Sequence, residues 1–125
     1  MNPDEFKART KQFTLRVFKL CAALPRTRVA EVVARQLLRS GSSVGANYRA
    51  ACRAYSTKVM LAKLGIVEEE ADESLFWMEL IVDDGMMPAK RVDPLKKEGN
   101  EILAMVVASI RTLRERLKRG GKKNE

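Results

Sequence analysis

At 125 residues, with 46% hydrophobic and 32% charged residues, the chain is long enough for one domain with a sizeable core. It has no histidine, which removes the commonest general base and the commonest metal ligand, and Cys21 and Cys52 lack the spacing of a metal site. The first ten residues hold no apolar signal region, and no run approaches the ~18 apolar residues of a membrane-spanning helix. We therefore expect a cytoplasmic protein with no cofactor, no bound metal and no catalytic residues.

Charge is distributed unevenly along the chain. The stretch from Thr57 to Asp84 holds two lysines and eight carboxylates, which is a net charge of −6. Since the whole chain has a net charge of +8, the remaining residues together carry +14. Acidic and basic helices can attract each other inside the fold, and the surplus positive surface can also bind a polyanion such as RNA or DNA. The candidate nucleic-acid contacts are Arg16, Lys19, Arg26, Arg28, Arg49, Arg53, Lys58, Arg111, Arg114, Arg116, Lys118 and Arg119.

The first predicted helix runs from about Pro3 or Asp4 to Ala23 and ends before Pro25, because proline disfavours a helical conformation in the residue before it. Its apolar stripe comprises Phe6, Phe13, Val17, Leu20 and Leu24. Thr27 is the predicted cap of a second helix that spans about Arg28 to Ala54.

Small residues mark the centre of the second helix. Its apolar face repeats at steps of three and four through Val33, Leu37, Ser40, Val44, Asn47 and Ala51. Gly41, Gly45 and Ala46 should let a neighbouring backbone approach closely, which would explain why the helix tolerates glycines that cost about 1 kcal/mol each. The alternative is a serine-glycine loop between two shorter helices.

The third predicted helix begins after a cap at Ser56 or Thr57 and runs to about Asp84, with Gly85 as its stop. The short connection makes the second and third helices antiparallel neighbours. In that register Arg39 reaches Glu70 or Glu73 in a partly buried ion pair, unless both charges are simply solvated.

The fourth predicted helix begins at Asp93-Pro94, after an irregular segment from Met86 to Val92, and ends near Lys118. Residues 120–125 form a flexible basic tail. Four helices with short connections predict an all-α fold, an up-down-up-down four-helix bundle, as a single domain over residues 1–119.

One sequence pattern resembles a known family. The run from Gln36 to Ala51, followed by Glu69 to Trp77, resembles the signature of the 23S rRNA intervening-sequence family of four-helix-bundle proteins. The matching motif residues are Gln36, Arg39, Ser40, Ser43, Asn47, Tyr48, Glu70, Glu73 and Trp77. The resemblance extends from Phe13 to about Leu113, and it implies a bacterial protein that assembles as a homo-oligomer, commonly a pentamer. A related branch comprises accessory proteins of diversity-generating retroelements, which bind a reverse transcriptase and nucleic acid.

The leading functional prediction is a non-enzymatic homo-oligomer that presents basic surface to RNA, DNA or a ribonucleoprotein such as a reverse transcriptase complex. Phe76, Trp77, Met86 and Met87 leave more apolar surface than one small bundle easily covers, which favours assembly. The alternative is a scaffold with protein contacts alone. Opening on an anionic membrane is disfavoured because no helix combines a wide apolar face with basic flanks. A magnesium or manganese site made of carboxylates alone is a minor possibility, since Glu70 and Glu73 lack an imidazole partner.

Overall fold

The computed structural model describes residues 2–124, and it describes side chains for residues 2–120. Its elements are α1 (Pro3–Ala22), α2 (Arg28–Cys52), α3 (Thr57–Asp83) and α4 (Ala89–Asn124). Each helix packs against the next and α4 also packs against α1, whereas within residues 2–124 no Cα atom of α1 lies within 8 Å of one in α3, and none of α2 within 8 Å of one in α4. The fold is therefore the predicted all-α up-down-up-down four-helix bundle, with α1 and α3 at opposite corners. None of the helices, as far as residues 2–124 show them, is both long and apolar enough to span a bilayer.

The helix ends follow the local sequence. Thr27 caps α2 by accepting a hydrogen bond from the Ala30 amide at 3.2 Å, as predicted, and Ser56 caps α3 in the same way through the Val59 amide. Gly85 ends α3 with φ 76°, a left-handed conformation that glycine adopts without steric cost. The Met86 amide then donates to the Ile81 carbonyl at 3.0 Å, which closes a Schellman motif.

The predicted apolar stripes form the core. All five stripe residues of α1 are buried, and α2 is one continuous helix rather than two helices joined by a loop. The fully buried large side chains come from every helix and include Phe13, Leu37, Met78 and Ile102. Asn47 is the exception on the predicted α2 face, because it is only half-buried and donates to the Ser43 carbonyl of its own helix.

The start of α4 differs from the prediction. The helix begins at Ala89, so Pro94 lies inside it rather than at its first position. Proline at this point removes the hydrogen bond to the Lys90 carbonyl, which destabilises the first turns. Because the helix begins before the proline, Val92 lies in the core with no exposed surface. We attribute the earlier start of α4 to the burial of this side chain.

The end of α4 also lies beyond the predicted boundary. Helical backbone continues to Asn124 rather than stopping near Lys118. Lysine and arginine side chains suit the last turns of a helix, because cations interact favourably with the carbonyl end of its dipole. Of the predicted tail at residues 120–125, the side chains of 121–125 and the backbone of Glu125 lie outside the described residues.

Candidate functional site

One end of the bundle concentrates positive charge. The antiparallel packing brings together the first turn of α1, the α2–α3 connection and the last described turns of α4. We call residues 2–7, 49–58 and 111–120 the basic end; it contains nine lysines and arginines against three carboxylates. Eight of the twelve predicted nucleic-acid contacts lie here and are exposed: Arg49, Arg53, Lys58, Arg111, Arg114, Arg116, Lys118 and Arg119.

The opposite end of the bundle is electrically balanced. Residues 19–31 and 79–93 contain five basic and five acidic side chains. Three of the predicted contacts, Lys19, Arg26 and Arg28, are exposed at this end. Arg16 is half-buried beside Leu95 on the α1–α4 side. The structure therefore brings most of the predicted contacts together but separates these four from the others.

A basic groove runs between α1 and α2 and reaches the basic end. It encloses about 610 Å³. Its lining residues are Lys7, Ala8, Lys11, Thr14, Ser42, Gly45, Ala46, Arg49 and Arg53. The helices approach closely here, because a Cβ atom built on Gly45 would lie 3.4 Å from the Thr10 carbonyl oxygen. The predicted close crossing is thus present at Gly41 and Gly45, whereas Ala46 is exposed and lines the groove instead of the crossing.

The groove includes cations that the sequence analysis did not select. Lys7 and Lys11 come from α1 and are four residues apart, as are Arg49 in the last turn of α2 and Arg53 at its C-cap. A spacing of four places both members of each pair on one flank of their helix. The signal was therefore present in the sequence, but Lys7 and Lys11 meet the two arginines only once the register of α1 on α2 is known.

The predicted ion pair between α2 and α3 forms with both candidate partners. Arg39 donates through Nη1 to Glu70 Oε2 at 3.4 Å and through Nη2 to Glu73 Oε2. The Arg39 side chain is 52% exposed, so the pair is more solvated than the sequence suggested. Such a surface pair contributes about 0–1 kcal/mol and mainly favours one register. Within residues 2–120, no other carboxylate of α3 is paired with a basic side chain.

A second ion cluster, which the sequence analysis missed, connects α1 to α4. Arg9 donates to both oxygens of Glu98, through Nε at 2.8 Å and Nη2 at 2.7 Å, and also to Glu101 at 3.0 Å. These hydrogen bonds lower the pKa of Glu98 despite its partial burial, and they raise the pKa of Arg9. The partners are 89 and 92 residues apart, so nothing in the local sequence indicated the contact.

Large apolar side chains remain exposed on several helices, among them α2 and α3. Val29 is 59% exposed, Val32 48% and Phe76 50%. Phe76 packs edge-on against Trp77 with ring centroids 5.3 Å apart, and the buried Trp77 Nε1 has no hydrogen-bond partner within residues 2–120. Met87, which was expected to add to this surface, is only 4% exposed because the connection before α4 folds it into the core.

Two observations concern reactive groups among the described side chains. Burial raises the pKa of the Cys21 thiol to about 11, which keeps it protonated and weakly nucleophilic near neutral pH. No three histidine, cysteine, aspartate or glutamate side chains among the described residues converge into a metal-binding group.

Comparison with known proteins identifies the family. A family model described as 23S rRNA-intervening sequence protein matches residues 5–108. The chain belongs to this family. A crystal structure of a protein of unknown function from the S23 ribosomal protein family of Bacteroides thetaiotaomicron is similar, with a TM-score of 0.82 and 29% identity over 89% of this chain and 99% of that chain. A comparison with curated protein sequences found no significant match.

The motif of this intervening-sequence family protein lies mainly between α2 and α3. Ser74 donates to the Ser40 hydroxyl oxygen at 2.9 Å in a fully buried contact. Gln36, Ser43 and Asn47 continue the same side of α2 at steps of four and three, and Glu70, Glu73 and Trp77 continue that side of α3. Tyr48 instead packs edge-on against Phe6 of α1, with ring centroids 4.6 Å apart. Five of the motif residues, Arg39, Ser40, Tyr48, Glu70 and Glu73, therefore make contacts between helices that contribute to packing and register.

Proposed function

We propose that this protein is a non-enzymatic homo-oligomer whose basic end binds nucleic acid. The supporting observation is the asymmetry of charge, nine basic against three acidic side chains at the basic end and five against five at the other. Each phosphate of a nucleic acid carries negative charge, so a surface of this kind attracts it without reading its sequence. The acidic α3 lies diagonally opposite α1, which leaves the α1–α2 side free of its carboxylates.

The test is fluorescence anisotropy with a labelled mixed-sequence RNA and its DNA counterpart across a salt series. We expect binding at ~50 mM salt and at least a tenfold loss of affinity by ~200 mM, because counterions compete for the phosphates. The double variant Arg111→Glu with Arg114→Glu should weaken binding, and circular dichroism should show that it remains folded. Absence of wild-type binding at ~50 mM salt would instead favour a scaffold that makes protein contacts alone.

Self-assembly is the second part of the proposal, and the exposed apolar side chains support it. Large apolar side chains that remain exposed on a small bundle are typical of protein interfaces. The family resemblance implies five protomers, so light scattering should give five times the protomer mass of 14.1 kDa. Phe76→Glu replaces one of these exposed apolar side chains by a charge and should lower that mass. Leu15→Glu is the comparison variant, because Leu15 is similarly exposed at 42% but lies on α1; a lower mass in both variants would show that α1 also takes part in assembly. A monomeric wild type at tens of micromolar would contradict this part.

A reverse transcriptase is a proposed protein partner on the strength of the family resemblance. Its own nucleic acid would give the basic end an anionic surface within a ribonucleoprotein. Co-purification with a reverse transcriptase encoded beside the gene would support this partner. Retention of the complex after nuclease treatment would show that the contact is between proteins, and its loss would show that nucleic acid bridges them.

A further inference from the structure

We infer that the α1–α2 groove is the principal contact for nucleic acid and that it holds successive phosphates of the nucleic-acid backbone. This inference rests on the proposed function and names the part of the molecule that performs it. The groove joins four basic side chains from two helices around one open volume of about 610 Å³. Arg111 and Arg114, by contrast, are exposed side chains of one helix, α4.

The cations in the groove are largely free to bind an anion. Lys7 lies 3.4 Å from Asp4, but that carboxylate is 90% exposed and the pair is correspondingly weak. Lys11, Arg49 and Arg53 have no carboxylate within 4.0 Å among the side chains of residues 2–120. Four positive groups held around one groove repel each other, and a polyanion would relieve that repulsion.

The arrangement of the cations matches a chain of phosphates better than a single phosphate. A spacing of four residues separates the members of each pair by about 6 Å along the helix axis. The contact between Gly45 and the Thr10–Lys11 backbone sets the register of the two helices. Arg49 then lies about one turn beyond Lys11 and Arg53 about two turns beyond it, so the charges extend over roughly 12 Å.

The polar groups of the groove favour backbone contacts over base contacts. The Thr14 hydroxyl donates to the Gly41 carbonyl at 2.8 Å, and the Ser42 hydroxyl donates to the Arg39 carbonyl at 3.1 Å. Neither hydroxyl therefore has a proton to offer to a base, and the lining includes no aromatic side chain on which a base could stack. The available donors are the four cations, which suit phosphate oxygens. Binding should consequently be independent of sequence.

The deciding experiment compares two double charge reversals by anisotropy with a labelled single-stranded RNA of mixed sequence. Lys11→Glu with Arg49→Glu changes the groove, and Arg111→Glu with Arg114→Glu changes α4 by the same total charge. We expect the groove variant to bind at least about fivefold more weakly than the α4 variant at ~50 mM salt. Contacts to phosphate dominate affinity, and the groove makes more of them than the α4 arginines do. Circular dichroism and light scattering serve as controls, and we expect them to show both variants folded and equally assembled.

A second pair of variants separates shape from charge. Ala46→Trp fills the groove, and Ala62→Trp is the control on the exposed side of α3; both alanines are exposed, so neither change should unfold the protein. The first should weaken binding and the second should not. Inorganic phosphate at matched ionic strength should fail to displace the RNA, because one phosphate meets only part of the row of cations.

The outcomes distinguish this inference from the proposed function. If wild type binds and the two charge reversals weaken binding equally, or the α4 reversal weakens it more, the groove is not the principal contact although the proposed function stands. Displacement of the RNA by inorganic phosphate at low concentration would show a small-anion site and would also overturn the inference. If wild type does not bind RNA or DNA at all, the proposed function itself fails.

Discussion

Replacing Gly41 by alanine tests the close crossing of α1 and α2. A Cβ atom at this position would lie 2.9 Å from Val17 Cγ1, 3.0 Å from Cγ2 and 3.2 Å from Cβ. Val17 is fully buried and β-branched, so it cannot turn away without a shift of α1. Overpacking of this kind costs about 1–3 kcal/mol, and alanine recovers about 1 kcal/mol of helix propensity. We therefore expect a net loss of stability of about 0–2 kcal/mol.

Gly45→Ala is the matched control and should have the opposite sign. The nearest atom to its Cβ would be the Thr10 carbonyl oxygen at 3.4 Å, an ordinary van der Waals distance. The gain in helix propensity then remains, and we expect a stabilisation of about 0.5–1 kcal/mol. Urea denaturation followed by far-UV circular dichroism measures both variants at one protomer concentration, because assembly would make stability depend on concentration. A Gly41→Ala variant as stable as Gly45→Ala would refute the crossing described here.

Three further predictions concern the ion pairs and the thiols. Arg9→Leu should lower the free energy of unfolding by about 1–3 kcal/mol, because it leaves a partly buried carboxylate without its charged hydrogen bonds. Arg39→Leu, at the exposed pair, should lower it by about 0–1 kcal/mol. Equal losses of stability in urea denaturation would contradict this. The pKa of Glu98 lies below its ordinary value of 4.5, so its contribution is complete above that value and is lost as the pH falls through the folded-state pKa. Stability should therefore fall less steeply with acid in Glu98→Gln than in the wild type, and parallel pH profiles would argue against the role. A thiol reagent near pH 8 should label the half-buried Cys52 first. Burial raises the pKa of Cys21 to about 11, so this thiol should react only as the protein unfolds. Comparable labelling rates would show that Cys21 is accessible.

Local sequence rules predicted most of the fold. The cap at Thr27 and the stop at Gly85 each depend on a few neighbouring residues, and both are present in the structure. The Arg39 ion pair was also predictable, because a short connection fixes how α2 and α3 align. The beginning of α4 was not, since it depends on how much surface Val92 buries against the other helices rather than on the proline signal.

The candidate site was predictable only in part, for a related reason. Most basic residues at the end of the bundle could be selected from composition and helical spacing. The groove could not, because Lys7 and Lys11 approach Arg49 and Arg53 only through the register of α1 on α2, which the Gly45 contact sets. The hydrogen bond between Arg9 and Glu98 could not be predicted either, because it depends on how the first and last helices align and these are far apart in sequence.

The order in which the helices pack also bears on how the chain folds. Three of the four interfaces join helices that are consecutive in sequence, and the smallest one, between α1 and α4, joins the two ends of the chain. Consecutive helices meet at little cost in loop entropy, which favours rapid folding, whereas the α1–α4 interface must close almost the whole polypeptide. We expect the α1–α4 interface to form last and to open first, so amide hydrogen exchange should be faster along this interface than between α2 and α3. The α2–α3 hairpin, with its buried serine contact, would then be the unit on which the remaining helices assemble.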